Sequence, residues 1–312
     1  MNSKKINLVV LNYNGKHLLE KYLSSILFAA KKTKYPCRVT VVDNKSSDDS
    51  VDFVKSKFPE ISVYVAKENR VLCSLNDYFK EIDDDIVVIL NNDLRLDAEF
   101  VDPLMPYFDK KEILFVAPKE LDLAGNYRGN LNRVVLKFGL LSAAPELKGI
   151  DFAQYDISVG GGAFDRKKLL ELDGYDELYL PGIFEDFDVC YRGWKHGWKG
   201  VYEPKSFYYH EGSVSFNAKY SSNAKMRISC RNAFLFFWKN VCSRKMILLH
   251  IIFIPFLLTM ALLRLRFAFI LGFFDALGRF KAVLRSRAVA KKQFKISDED
   301  VFKFFSHLPA LA

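Results

Sequence analysis

Five short apolar runs dominate the first 118 residues: INLVVLN (6–12), RVTVVDN (38–44), ISVYVA (61–66), DIVVILN (85–91) and ILFVAP (113–118). Each is rich in Val, Ile or Leu and bounded by turn residues, the pattern of a strand buried on both faces of a parallel sheet. Amphipathic stretches separate them, notably 17–32 and 50–58. Strand and helix alternating in this way predict βαβ units and an α/β chain built on a doubly wound, mostly parallel sheet. Such sheets bind ligands beyond the carboxyl ends of their strands, so those ends are where chemistry is to be sought.

Three of the ends carry the same kind of residue. The first run closes on Asn12-Tyr13-Asn14-Gly15, the second on Asp43-Asn44 and the fourth on Asn91-Asn92-Asp93. Asp43 suits a donor group such as a base imide or a ribose hydroxyl. Asp93 suits a hard divalent cation bridging a diphosphate, because Mg²⁺ takes only one or two protein carboxylates beside phosphate oxygens. Asn and Asp also favour ordinary strand-end turns. Three such ends in register argue for more than turn chemistry.

A second concentration lies at 160–210. Glu185, Asp186 and Asp188 place three carboxylates within four residues, with Arg192 one helical turn beyond Asp188. Such a cluster is either solvated or used. Asp188 and Arg192, spaced i and i+4, are suited to pair along a helix. Gly160-Gly161-Gly162 is either a close backbone approach to a ligand or a flexible turn. Trp194 and Trp198 are either a stacking platform or core, and His210 ends the strand-like run SFYYH.

These residues resemble one family. VVLNYNG (9–15), VTVVDNKSSDDS (39–50) and VVILNNDLRLD (87–97) are similar to the opening strand, the nucleotide-binding segment and the metal-binding motif of the inverting glycosyltransferases of family 2. The block 171–215 resembles that family's G-G-F-D-E and E-D-x-D-x-x-x-R runs, followed by a Gly, a Pro and a His trailed by serines. The resemblance spans about Leu8 to Asn240 and leans toward rhamnosyltransferase-like enzymes of bacterial cell-surface glycans. It implies a GT-A fold, a Rossmann-like α/β architecture, with a UDP- or dTDP-sugar donor and Mn²⁺ or Mg²⁺. By resemblance Asp186 is the base, with Glu185 beside it, and Asp93, Asn91 and His210 face the metal or the diphosphate. Asn12, Asn14, Asp43, Asn44, Arg70, Asn76, Asn92, Gly161 and Gly162 fall in the nucleotide or donor set. Asp188, Arg192 and Trp194 are acceptor or structural residues.

Two departures stand out. The family's N-x-G-F-x-x-G-N stretch reads Asn69-Arg70-Val71-Leu72-Cys73-Ser74-Leu75-Asn76 here, without its glycines, which makes Arg70 the local candidate for a diphosphate contact. Asn91 stands where a first Asp is common. Without a Q-x-x-R-W signature, a single addition is expected rather than processive synthesis.

The chain then changes character. Residues 219–292 hold 15 Lys and Arg against the lone acid Asp275, a balance of +14 that leaves −5 for the rest of a +9 chain. One basic helix is expected over 219–242. The run 246–263 is uncharged but contains His250, Pro255 and Thr259, and falls just short of the roughly 20 residues a span needs. Arg264 and Arg266 interrupt a second apolar stretch. Two amphipathic helices lying in a membrane interface over 244–292 fit best, with a true span, a buried hairpin or a dimer interface as alternatives, so an oligomer stays open. Basic residues interleaved with aliphatic runs favour lipid over nucleic acid. The expected division is a catalytic domain at 1–217 and a C-terminal helical, membrane-associating region at 218–312.

The five cysteines form no CxxC pair and the first apolar run is too short for a signal peptide, so the cytoplasmic face of a membrane is expected. The acceptor is then a lipid-linked or cell-surface glycan. Two other functions compete. A nucleotidyltransferase wants a Gly-rich, cationic phosphate loop after the first strand, which Tyr13-Asn14-Gly15-Lys16 does not supply. A non-catalytic membrane-surface binder leaves Glu185-Asp186 without a task.

Overall fold

The computed structural model of the protein describes residues 4–212 and 220–306. The first half keeps the alternation: β1 (Ile6–Asn12), α1 (Lys16–Lys32), β2 (Cys37–Asp43), α2 (Ser50–Lys57), β3 (Ser62–Val65), α3 (Leu75–Glu81) and β4 (Ile86–Asn91). A series of strands comes next: β5 (Leu94–Leu96), β6 (Ile113–Leu121), β7 (Tyr127–Gly129), β8 (Asn132–Lys137), β9 (Leu140–Pro145), β10 (Gln154–Asp156) and β11 (Gly162–Asp165). Helices α4 (Arg166–Glu171) and α5 (Glu185–His196) precede the long strand β12 (Lys199–His210). Five helices complete the description: α6 (Ser222–Asn240), α7 (Arg244–Leu263), α8 (Phe267–Gly278), α9 (Phe280–Gln293) and α10 (Asp298–Ser306).

The sheet runs β10-β12-β6-β11-β4-β1-β2-β3, with β5 added on β12 and β7 on β6. Strands β3, β2, β1 and β4 are parallel, as are β6 and β12. Strand β11, absent from the expected set, inserts antiparallel between β4 and β6. It sits in the middle of the sheet because Gly162 allows it to: a Cβ there would lie 2.7 Å from the Val116 carbonyl oxygen. Alternation along the strands divides the core in two. Leu8, Val10, Val41 and Val88 pack with Leu19, Leu23 and Ile26 of α1. Val9, Val42, Val87 and Ile89 face α3, α4 and α5.

The region 119–160, opaque in the sequence, holds β7, β10 and a separate β8–β9 hairpin. The polar turn at Gly125-Asn126 does connect β6 to β7, where the Asp122 carboxylate accepts from the Ala124 and Asn126 amides. Gly129-Asn130 makes no such turn; the hairpin reverses at Phe138-Gly139, both at positive φ.

The expected basic helix is α6, from Ser222, and the boundary placed at 217/218 lies outside the described residues, as do Ser213 and Ser215. Phe234, Phe236, Ala276, Val283 and Val301 join one hydrophobic cluster with Phe164, Tyr179 and Trp194. The C-terminal helices are therefore layered onto the sheet's α5 side. Helix α7 has 20 residues and a mean hydropathy of 2.6, long and apolar enough to cross a membrane by length and composition alone, and most of it is exposed.

Candidate active site

The carboxyl ends of β1, β2 and β4 form one edge, and their polar side chains bond to one another. Asn12 and Asp43 are partners in register. The Asn12 amide donates to Asp43 (2.9 Å), the Asn92 amide donates to Asn12 (2.7 Å), and the Ser46 hydroxyl and backbone amide donate to Asp43 at 2.6 and 2.7 Å. Asn14 accepts from the Ser47 amide at 2.7 Å. Asn44 reaches the Val71 carbonyl at 3.2 Å, while its own buried carbonyl oxygen has no partner. This edge holds its shape through its own side chains before any ligand arrives.

Asp93, just past β4, meets His210 at the end of β12. Asp93 Oδ1 and His210 Nε2 are buried and lie 3.2 Å apart as an ion pair, and neither atom bonds any other group. His210 Nδ1 contacts Glu120 at 2.8 Å, and Arg128 lies 3.3 Å from Glu120 and donates to the His210 carbonyl. Burial opposes charge on His210, yet the carboxylates on either side outweigh it and raise its pKa to about 9. A carboxylate oxygen and an imidazole nitrogen that bond nothing but each other, the imidazole oriented from behind by a carboxylate, fit a divalent cation that takes its other ligands from a diphosphate. Among the described residues no three acidic, His or Cys side chains form a closed metal cage. Asn91 is exposed at the end of β4 and lines the cavity.

The remaining chemistry comes from the start of α5. Glu185 and Asp186 occupy its first turn, and Ile183 and Phe184 before it both hold positive φ (70° and 83°). Non-glycine residues there cost on the order of 1–2 kcal/mol each and persist only when their surroundings fix them. Here Asn232 of α6 fixes them, donating to the carbonyls of Tyr179, Gly182 and Ile183 at 3.0, 2.8 and 2.6 Å. Arg231 and Arg279 hold the Leu180 and Leu178 carbonyls. Burial raises the Asp186 carboxyl above the ordinary range. Burial, then Asp186, pushes Glu185 up to about 8, and one Glu185 oxygen has no partner.

Asp188, two residues on, is used differently. It accepts from Tyr179 (2.7 Å), Arg192 (2.7 Å), Lys239 (2.8 Å) and Asn240 (2.7 Å). Burial alone would raise its pKa, but Lys239 and Arg192 outweigh burial and hold it well below the usual range. Asp188 and Arg192 are buried and bonded to each other within this network.

Several expected donor contacts have other tasks. Arg70 pairs with Asp77 and Glu177. Asn76 clamps the Tyr175 backbone, donating to its carbonyl (2.7 Å) and accepting from its amide (2.9 Å). The three glycines divide: Gly160 and Gly161 line the cavity, a Cβ on Gly160 falling 3.4 Å from Asp186, and Gly162 serves the sheet. Trp194 is buried core, its indole donating to the Asp156 carbonyl at 2.9 Å. Trp198 precedes Lys199, at the end of β12 opposite His210, so neither Trp is a platform at this site. Glu120, Arg128, Asn130 and Asn232 are absent from the residues expected on sequence grounds, the first because its apolar run ends at Pro118 while the strand continues to Leu121.

A cavity of about 310 Å³ joins the His210 end of β12 to the start of α5, lined by Asn91, Glu120, Gly161, Glu185, Asp186 and His210 among others, while Asn12, Asp43, Asn44 and Asp93 do not line it. Among solved structures the fold is similar to "GalNAc-T7 with UDP, GalNAc and Mn2+", with a TM-score of 0.59 and 17% identity, covering 76% of this chain and 48% of that one. It is also similar to S. aureus TarS 1-349 in complex with UDP, with a TM-score of 0.51 and 16% identity, over 77% of this chain and 68% of that one. The chain thus spans about half the length of the first and two thirds of the second. At these identities the likeness establishes a shared fold, the GT-A architecture. No curated protein matches. The description "Glycosyl transferase family 2" matches residues 8–164, half of the chain. The chain belongs to glycosyl transferase family 2.

Proposed function

We propose that the protein is an inverting transferase that moves a sugar from a UDP- or dTDP-sugar to an acceptor hydroxyl, one addition at a time. One observation carries this reading: Asp186, with its raised pKa, and His210, beside Asp93, line one cavity at the carboxyl edge of the sheet. UDP in both structural relatives, and Mn²⁺ in one, support the donor and the metal. Asp43, Asn12 and Asn44 face the nucleotide, and Asp93 with His210 would hold Mn²⁺ or Mg²⁺. When bound, the cation neutralises the departing diphosphate. Asp186 takes the proton of the acceptor hydroxyl while that oxygen bonds the anomeric carbon, and the bond from that carbon to the diphosphate oxygen breaks, which inverts the centre.

Exposed Leu248, Ile251, Phe256, Leu263 and Phe267 with Arg244, Lys245, Arg264 and Arg266 support peripheral association of 244–292 with the cytoplasmic face of a membrane. A lipid-linked or cell-surface glycan acceptor accords with that placement, as does a working division into 1–217 for catalysis and 218–312 for docking. The rhamnosyltransferase-like subtype stays within this proposal.

The test is release of nucleoside diphosphate from a panel of UDP-, dTDP- and GDP-sugars with Mn²⁺ or Mg²⁺, with and without membrane lipid. Turnover of one donor, lost in Asp186→Asn and Asp93→Ala, is expected. Turnover that survives either substitution would break the assignment.

A further inference from the structure

Beside the donor cavity lies a second one of about 670 Å³, and the two share Glu120, Asn130, Gly160 and Asp186. One wall is the β8–β9 hairpin, and the register of that hairpin gives the cavity a direction. At its base, where Asn132 pairs with Pro145, the lining is polar: Asn130, Asn132 and Ser158, with the Asn132 amide donating to the Ser158 carbonyl at 2.9 Å. Toward the tip, where Leu140 pairs with Lys137, Leu140 and Leu141 line it, and Ala233 of α6 and Phe269 of α8 close the apolar side.

The apolar side continues to the outside. Phe138 at the hairpin tip is 48% exposed and packs on Phe253 and Phe256 of α7, with ring centres 5.8 and 6.3 Å away. The tip is fastened there by His250, which bonds the Gly139 carbonyl at 2.7 Å through Nδ1 and accepts from the Trp238 indole at 2.8 Å through Nε2. Helix α8 places Phe269 in the cavity and leaves Phe267, Leu271 and Phe274 exposed. The rim of that face is cationic, with Arg244, Lys245, Arg264 and Arg266 all exposed.

We propose that this second cavity takes the acceptor and that the acceptor is an amphiphile. Its hydroxyl-bearing head lies among Asn130, Asn132 and Ser158 beside Asp186, and its apolar chain leaves past Leu140 and Phe269 into a lipid surface covering α7 and α8. The inference rests on the transferase reading of Asp186 and narrows its acceptor to the lipid-linked class. The balance of the step is unchanged: the head's hydroxyl gives its proton to Asp186, its oxygen bonds the anomeric carbon, and the diphosphate leaves with the electron pair. Leu140, Phe187 and Phe269 offer no hydrogen-bond partner to the hydroxyls of a water-soluble glycan, and Ser142 and Ser229 are the hydroxyl side chains among the lining there. An alkyl chain is at home there. The cationic rim matches the anionic headgroups of a bilayer and gives no grip on a neutral soluble glycan.

The probe is a dodecyl glucoside with a diazirine in its alkyl chain, irradiated with the full-length protein and mapped by peptide mass spectrometry. Label is expected in 140–145, 229–233 and at Phe269. It should fall at least tenfold in Ser229→Trp and in Ala143→Trp, which fill the cavity from opposite walls, with melting temperatures checked for both. UDP binding with Mn²⁺, followed by calorimetry, tests the transferase reading on its own and is expected in the wild type. Label confined to the outer residues of α7 and unchanged in both variants would be a detergent coat, and overturns the proposal. Label displaced by UDP would place the chain in the donor cavity, which also overturns it. Should UDP fail to bind while the label map holds, the transferase reading falls and the amphiphile cavity stands.

Discussion

The cavity face and the helical seam of α5 both bury charge within a few residues of each other, and they treat it in opposite ways. On the seam, Asp188 is met by Arg192, Lys239, Tyr179 and Asn240, while Asp298 accepts from Lys195 (2.8 Å), Tyr191 (2.7 Å) and the Cys242 and Ser243 amides. On the cavity face, Asp93 Oδ1 and His210 Nε2 have only each other, one buried Glu185 oxygen has no partner, and Asp186 is raised in pKa. A buried charge that is fully bonded is spent on holding helices together; one left open carries a cost that folding alone does not recover. Architecture and chemistry thus separate along a single helix.

The largest effect expected from that division is on the cavity face. Asp186→Asn should cut transfer by about 10²–10⁴-fold, the usual contribution of a positioned base, with donor binding and melting temperature close to wild type. The pH profile sharpens it. Because burial favours the protonated acid, the active carboxylate forms only as pH rises through a raised pKa. The acid limb of kcat should therefore lie above the range of an ordinary Asp, near 3.9. An acid limb at or below that value would break the link between burial and catalysis here.

The seam should fail in stability. Asp188→Asn leaves Arg192 buried against a neutral amide and Lys239 with Asp176 as its one remaining carboxylate, and breaking such a network costs about 3–5 kcal/mol. Melting should fall on the order of 10 °C. Asp188 has a depressed folded pKa, so its stabilisation is present above the unfolded carboxylate value and is lost as pH falls through the folded one. The wild type should lose stability on acidification more steeply than the variant, which circular dichroism melts from pH 7 to 3 would resolve. Equal slopes would mean that Asp188 is not the carboxylate that matters.

Glu120→Gln is intermediate. Glu120 lines the cavity and orients His210, so the substitution should weaken Mn²⁺ affinity by about 10–100-fold, as outer-shell carboxylates do. A metal titration of activity measures it. Loss of fold instead would move Glu120 to the architectural side.

What could be read from the sequence tracked range. The runs that became β1, β2 and β4 end in Asn12, Asp43 and Asp93 because strand and turn chemistry are local, and their parallel register then aligns those ends. Strand β11 was not legible, since its place between β4 and β6 depends on Gly162 meeting the Val116 carbonyl, a contact made across the sheet. Asn232 was invisible for the same reason: its partners lie some 50 residues away, in a loop whose positive-φ backbone no local pattern announces. Glu120 and Arg128 lay in a stretch where strand periods mix. Trp194 and Asn76 show the reverse error, in which a residue type suited to ligands is used by the core and by a backbone clamp.

Arg70 gives the smallest expected effect and the finest test of the division. It stands beside the donor cavity, where Val71 and Leu72 line the wall, and a free guanidinium there would reach for phosphate. Its guanidinium instead pairs with Asp77 of α3 and Glu177, both partly exposed, and Glu68 lies 3.5 Å away. Exposed ion pairs of this kind are worth about 0–1 kcal/mol. Arg70→Ala should therefore change donor KM less than about twofold and melting by no more than a few degrees. A tenfold rise in donor KM at unchanged stability would show that the diphosphate draws Arg70 away from its carboxylates on binding. The three acids around it would then be its resting place and Arg70 part of the cavity face.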